Sequence, residues 1–188
     1  MKPGAVHFGD AQYYGGGNQY LNCTCFVAMA PTWTGDGYWL TTNSGAIYTF
    51  GDAPYQGGEV YGTAVDMTAL PNDWGYAIVN ASGQVYTFGN QGYYGGLNGG
   101  VTATSIRNAR IAGGYWILTT SGSVSAFGAA PYYGSAATSF AQKLSHQTTG
   151  PGYLFVDGSG NVFTFSFPNL GHGNTSAPYT DVWAVCAC

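Results

Sequence analysis

Charge is what this sequence has least of. Only 6% of its 188 residues are Asp, Glu, Lys or Arg, against roughly 25% in an ordinary soluble domain. The basic residues are Lys2, Arg107, Arg110 and Lys143, and the formal net charge is −4. So few cations argue against nucleic acid or an anionic membrane surface as a partner. Long apolar runs are missing too. None approaches the ~20 residues that cross a bilayer, so no membrane insertion is expected. No segment sustains a helical period, so α-helix is expected to be nearly absent. Catalytic signatures are also lacking: there is no G-x-S-x-G elbow, no HExxH and no Walker loop. His7, His146 and His172 fall in different parts of the chain with no shared motif. The expectation is a protein without catalysis, metal or cofactor.

The opening MKPGAVHFGD has no apolar core of the kind a signal peptide carries. That leaves two readings, a chain that is not exported or one whose leader has been removed. Cysteine is sparse and clustered, as Cys23 and Cys25 in CTC and Cys186 and Cys188 in CAC. We read these as disulfide cysteines of an extracytoplasmic protein. A four-cysteine zinc site is the lesser reading, because zinc favours CxxC over CxC.

What is abundant is aromatic and small. Hydrophobic residues make up 45% and aromatics 16%, beside 31 Gly and 8 Pro. That supplies a core and argues against disorder. The surface must be built largely from Thr, Ser, Asn, Gln, Gly and Tyr. Such a surface suits a neutral, polyhydroxylated ligand or another protein copy. It also gives weak electrostatic protection against self-association.

The chain repeats itself. GYWLTTNSGAIYTFGDAPYQGG begins at Gly37, and related stretches begin at Gly75, Gly114 and Gly152. The Ser-Gly pairs at 44–45, 82–83, 121–122 and 159–160 and the phenylalanines Phe50, Phe88, Phe127 and Phe165 move with them, in steps of 38, 39 and 38 residues. Three landmarks in lockstep define a structural repeat. Each unit reads as β structure. Short β-branched and aromatic runs flank a Ser-Gly hairpin, with one apolar run upstream and a Gly-rich run downstream. About four short strands in ~40 residues is the pattern of a propeller blade.

The units span approximately 22–58, 59–96, 97–135 and 136–173. The N-terminal GAVHFGDAQYYGGG matches the second half of a unit and YTDVWAVCAC resembles a first-half strand. The expected fold is an all-β, five-bladed β-propeller, one domain over 1–188. Its fifth blade is split between 1–21 and 174–188, both chain ends pairing to close the ring and remove exposed edges. The C-terminal piece is short for two strands. Either the blade lacks a strand, the sequence is trimmed, or a neighbouring molecule supplies it. Disulfides linking Cys23 and Cys25 to Cys186 and Cys188 would secure this seam, contributing about 4–5 kcal/mol in loop-entropy terms.

The GYWL, FGDAP and YYG elements resemble the repeats of secreted bacterial, mainly actinobacterial, propeller proteins. More distantly, the chain is similar to five-bladed propeller lectins of the tachylectin-2 type. The resemblance covers nearly the whole chain. It implies an extracellular protein, often joined to cell walls or other modules, with sugar binding in the lectin branch. The fourth unit departs from the pattern, with Ser166 for Gly and Phe167-Pro168 in place of the Asp-Ala-Pro step.

A sugar site needs an aromatic face with neutral donors and acceptors beside it. Repeat-related Tyr14, Tyr94 and Tyr133 and the loop residues Trp33 and Trp74 are the candidate platforms. The strand residues Trp39 and Trp116 are better suited to a core, since propeller aromatics mostly fill the space between blades. The DGSGN stretch from Asp157 to Asn161 resembles the start of a calcium loop but aligns with the hairpin turns, and we read it as a turn. Asp10 and Asp52 hold equivalent places where other units have Asn90 and Ala129, so they too read as turn residues. Arg107 and Arg110 fall in an inner-strand run, with a structural partner such as Asp66 expected. The leading expectation is an extracellular, lectin-like module for neutral glycans or cell-wall polysaccharide. The alternative is a structural or assembly subunit whose incomplete blade a partner strand completes, from a second copy or another protein.

Overall fold

The structure, a computed structural model, describes residues 12–17, 25–70, 75–109, 113–146 and 150–166. Among these, none is α-helical, and twelve strands form four three-stranded antiparallel sheets. The chain divides into two compact units. In the first, β1 (Phe26–Pro31), β2 (Gly37–Thr42) and β3 (Ile47–Gly51) form one sheet, and β4 (Ala64–Ala69), β5 (Gly75–Asn80) and β6 (Val85–Gly89) the next. In the second, β7 (Ala103–Asn108), β8 (Gly114–Thr119) and β9 (Val124–Gly128) are followed by β10 (Ala141–His146), β11 (Tyr153–Asp157) and β12 (Val162–Phe165). Strand order within each sheet follows the sequence.

The repeat landmarks explain this regularity. Gly45, Gly83, Gly122 and Gly160 all hold φ near +80° at the hairpin between the second and third strands. A side chain there would be strained, so glycine recurs. In the first and third hairpins the threonine that opens the turn also caps it. Thr42 Oγ1 accepts the Ala46 amide at 3.1 Å, and the Thr119 hydroxyl meets the Ser121 hydroxyl at 2.9 Å. The opening glycine faces backbone at close range. A Cβ on Gly75 would lie 2.5 Å from the Phe88 carbonyl oxygen, inside any real contact distance. The first strand of each sheet also carries a register shift near its start, as between Ala64 and Asp66.

Aromatic pairs cross the second and third strands in register: Tyr38 on Phe50, Tyr76 on Phe88, Tyr115 on Phe127 and Tyr153 on Phe165. Their ring centroids are 5.3 to 5.7 Å apart. Each tyrosine then reaches back one repeat. The Tyr76 hydroxyl donates to the Gly57 carbonyl at 2.6 Å, Tyr153 to Gly134 at 2.7 Å, and Tyr115 to Gly95. The phenylalanine lies over the same glycine. A Cβ on Gly57 would fall 2.8 Å from the Phe88 ring, and one on Gly134 3.0 Å from Phe165. The Gly-rich segment of one repeat is thus the socket for the Tyr–Phe pair of the next.

Each unit has its own core. In the first, Trp39, Met67, Tyr76 and Ile78 are buried with Ala30, Ala53 and Ala64. In the second, Trp116, Leu118, Leu144, Tyr153 and Phe155 do the same work. The indole N–H groups of Trp39 and Trp116 donate to the Pro54 and Pro131 carbonyls at 2.8 and 2.7 Å. Burial of so large a ring with its donor satisfied accounts for a core role; truncation to alanine costs about 3–5 kcal/mol.

One expectation is corrected. Each described repeat shows three strands, and the Gly-rich runs 53–60, 91–98 and 131–138 form no ladder. Pro54 and Pro131 have no amide to donate. Gly57, Gly95 and Gly134 take φ of 120°, 116° and 130°, which breaks the extended path. The segment is shaped as a socket instead of a fourth strand.

Candidate functional site

The loop from Thr32 to Asp36, joining β1 to β2, exposes Trp33, Thr34, Gly35 and Asp36. It is folded tightly: Gly35 N–H donates to the Thr32 carbonyl at 3.2 Å, and Thr32 N–H to the Gly37 carbonyl at 2.9 Å. Asp52 at the end of β3 pins it from the side. The Thr32 hydroxyl donates to Asp52 Oδ1 at 2.9 Å and the Thr34 hydroxyl to Oδ2 at 2.6 Å. The Asp52 amide closes the arrangement on the Asp36 carbonyl at 3.1 Å. Between the two pinned threonines stands Trp33, 62% exposed.

Tyr14 borders this loop. Its hydroxyl donates to Asp36 Oδ1 at 3.1 Å. Its ring meets Tyr38 edge-on, 6.2 Å between centroids. Partial burial first, and then the Asp36 and Asp52 carboxylates, raise its pKa above the ordinary phenol value. At neutral pH Tyr14 is therefore a neutral donor. Asp52 has both oxygens engaged by threonine, which fits its reading as a turn residue. The arrangement offers an indole face beside hydroxyl, carboxylate and backbone groups, on a loop whose shape is set before any ligand arrives.

The other candidates are placed differently. Tyr94 is 42% exposed, but its ring lies against Gly128 and edge-on to Tyr115 at 5.7 Å. Tyr133 is half-buried and stands 5.8 Å from the Tyr153 ring. Tyr14, Tyr94 and Tyr133 thus share one role at the edge of the socket and present only part of a ring to solvent. Trp39 and Trp116 are core. Trp74, Asp10, Arg110, His7, His172, Cys23, Cys186 and Cys188 lie outside the described residues. Cys25 is half-buried just before β1. Arg107 donates to the Ile106 carbonyl at 2.7 Å.

The more exposed rings belong to the tyrosine one place earlier in each Gly-rich run, which the sequence reading passed over. Tyr55, Tyr93 and Tyr132 are all exposed, Tyr93 at 65%. Asp36 was also missed. Its tie to Tyr14 spans 22 residues, which no local pattern reveals.

The DGSGN stretch is a capped turn. Asp157 is buried and accepts from the amides of Ser159 and Asn161, the Asn161 side chain and the Thr138 hydroxyl, at 2.9 to 3.0 Å. Burial opposes ionisation, but these donors outweigh it and lower the Asp157 pKa below the usual carboxylate value. No group of three or more metal-ligating side chains occurs among the described residues. No described helix is long and apolar enough to cross a membrane. Asn80, followed by Ala81 and Ser82 in the N-x-S pattern of a glycosylation acceptor, is closed in the folded chain: its side chain is buried and its Nδ2 donates to the Tyr61 carbonyl at 2.7 Å.

No protein-family profile matches this chain. No curated protein matches it either. Solved structures do. The β-propeller domain of Cps50 (Swd1) from Myceliophteria thermophila aligns with a TM-score of 0.58 at 14% identity, over 77% of this chain and 53% of that one. The structure of U3-55K aligns with a TM-score of 0.57 at 11% identity, over 79% and 50%. The chain spans about half the length of these structures. Identities this low speak for fold alone, and the fold is an all-β propeller built from antiparallel sheets.

Proposed function

We propose that this propeller is an extracellular, non-catalytic module that binds neutral carbohydrate through the Trp33 loop. The observation that carries the reading is the exposed Trp33 ring, held between two threonines that Asp52 pins in place. An exposed, preorganised indole offers its face to the C–H surface of a sugar ring. The Tyr14 hydroxyl, Asp36 and nearby backbone groups are suited to its hydroxyls. The scarcity of charge supports a neutral ligand, and the likeness to secreted propeller repeats and propeller lectins supports cell-wall polysaccharide as its source. The two clustered cysteine pairs, CTC and CAC, support an oxidising compartment. A glycan array carrying cell-wall and neutral host sugars tests the proposal. Retention of at least one neutral glycan is expected, and an array without any bound glycan overturns it.

Five blades remain our proposal for the ring. Its support is the Tyr38 hydroxyl, which donates to the Gly15 carbonyl as each later tyrosine does to the preceding repeat. Residues 12–17 therefore act as the Gly-rich half of a unit whose other half comes from elsewhere in sequence, with 174–188 as the proposed source.

A further inference from the structure

We infer that Asn98 is a site of spontaneous covalent modification, losing its side-chain amide to become aspartate or isoaspartate in the folded protein. It is the only asparagine of this sequence that is followed by glycine. The dipeptide sits in the loop between the Gly-rich segment of the second repeat and β7, and Asn98, Gly99 and Gly100 are all exposed. A Cβ built on Gly99 or Gly100 would meet nothing within 4 Å. Gly100 holds φ of 95°, so the chain turns at this point without packing against anything.

The chemistry requires only what is present. The Gly99 backbone nitrogen attacks Cγ of Asn98, forming a C–N bond. The bond from Cγ to Nδ2 breaks and ammonia leaves with the proton that the Gly99 amide gives up. A five-membered succinimide results. Water then adds to one of its two carbonyls and opens it, to aspartate or to the backbone-extended isoaspartate. Nothing is oxidised or reduced. The step demands that the Gly99 amide swing toward the side chain, and a residue without Cβ in open space meets no steric bar to that.

Neighbouring candidates are held back by the fold. Asp157-Gly158 could form the same ring, but Asp157 is buried with four donors on its carboxylate. Asn80 is buried and is followed by alanine. The loop holding Asn98 has no such restraint. The change matters more here than in most proteins, because a net charge of −4 rests on only twelve ionised Lys, Arg, Asp and Glu side chains.

The test is incubation of the folded protein at mildly alkaline pH, followed by anion exchange and peptide mapping, with Gly99→Ala alongside. Gly99 is outside the left-handed region and has open space around it, so that variant folds normally. The expected result is a single acidic form that grows with time and carries a gain of about 1 Da. The gain maps to Asn98, in both aspartate and isoaspartate forms, and Gly99→Ala slows its appearance severalfold. The inference is overturned if Asn98 stays unchanged while a free peptide of the same loop converts. It is equally overturned if Gly99→Ala converts at the wild-type rate.

Discussion

The Tyr76 hydroxyl donates to the carbonyl oxygen of Gly57, 19 residues earlier, at 2.6 Å, and accepts the Gln56 amide at 3.2 Å. The same joint recurs where Tyr115 meets Gly95 and Tyr94, and where Tyr153 meets Gly134 and Tyr133. One tyrosine hydroxyl per repeat therefore satisfies two backbone groups that a socket without a ladder would otherwise leave unpaired.

Removing that hydroxyl while keeping the ring isolates its contribution. Tyr76→Phe leaves a half-buried carbonyl and a half-buried amide without their partner, at a cost of about 1 kcal/mol. Tyr153→Phe should cost a similar amount. Chemical denaturation of each variant beside wild type measures it, and the denaturant midpoint is expected to fall with the m-value unchanged.

Alkali should act on the same joint. Burial pushes the Tyr76 hydroxyl up to about 12, against 10.0 for an ordinary phenol, and raises Tyr153 as well. The fold thus favours the neutral forms. Their contribution is complete below pH 10, declines as pH rises past it, and is lost as pH passes the raised folded values. Absorbance titration should show the Tyr76 hydroxyl ionising only near pH 12 or together with unfolding.

Acid acts at Asp157. Its pKa is lowered in the folded chain from 3.8, so its contribution is present above pH 4 and is lost as pH falls through the lowered value. Asp157→Ala should destabilise by roughly 2 kcal/mol at neutral pH, since it removes a carboxylate that accepts four hydrogen bonds across the turn. Its stability should also respond less to pH between 4 and 2 than that of wild type, measured by thermal melts across that range.

Much of the fold was legible because glycine and aromatic positions each have a mechanical reason. The Ser-Gly turns announce positive φ, and the opening glycine announces close backbone approach, so the hairpins and their spacing were readable. The Gly-rich runs were misread as fourth strands, although Pro54 and Pro131 already argued against a ladder. The site was less legible. In a Tyr-Tyr pair, period two cannot tell which ring faces water once the segment leaves the extended conformation. Tyr93 and Tyr94 therefore looked alike. Trp33 was recognisable as a loop aromatic, but the threonine and aspartate that hold it meet only after β2 and β3 have paired.

The most direct test of the binding account is isothermal titration of the retained glycan into wild type and Trp33→Ala, with thermal melts of both. The account predicts saturable binding by wild type, a loss of at least about tenfold in affinity, or about 1.4 kcal/mol, for Trp33→Ala, and an unchanged melting temperature. Equal affinity in the two proteins, or no saturable binding by wild type, would contradict it.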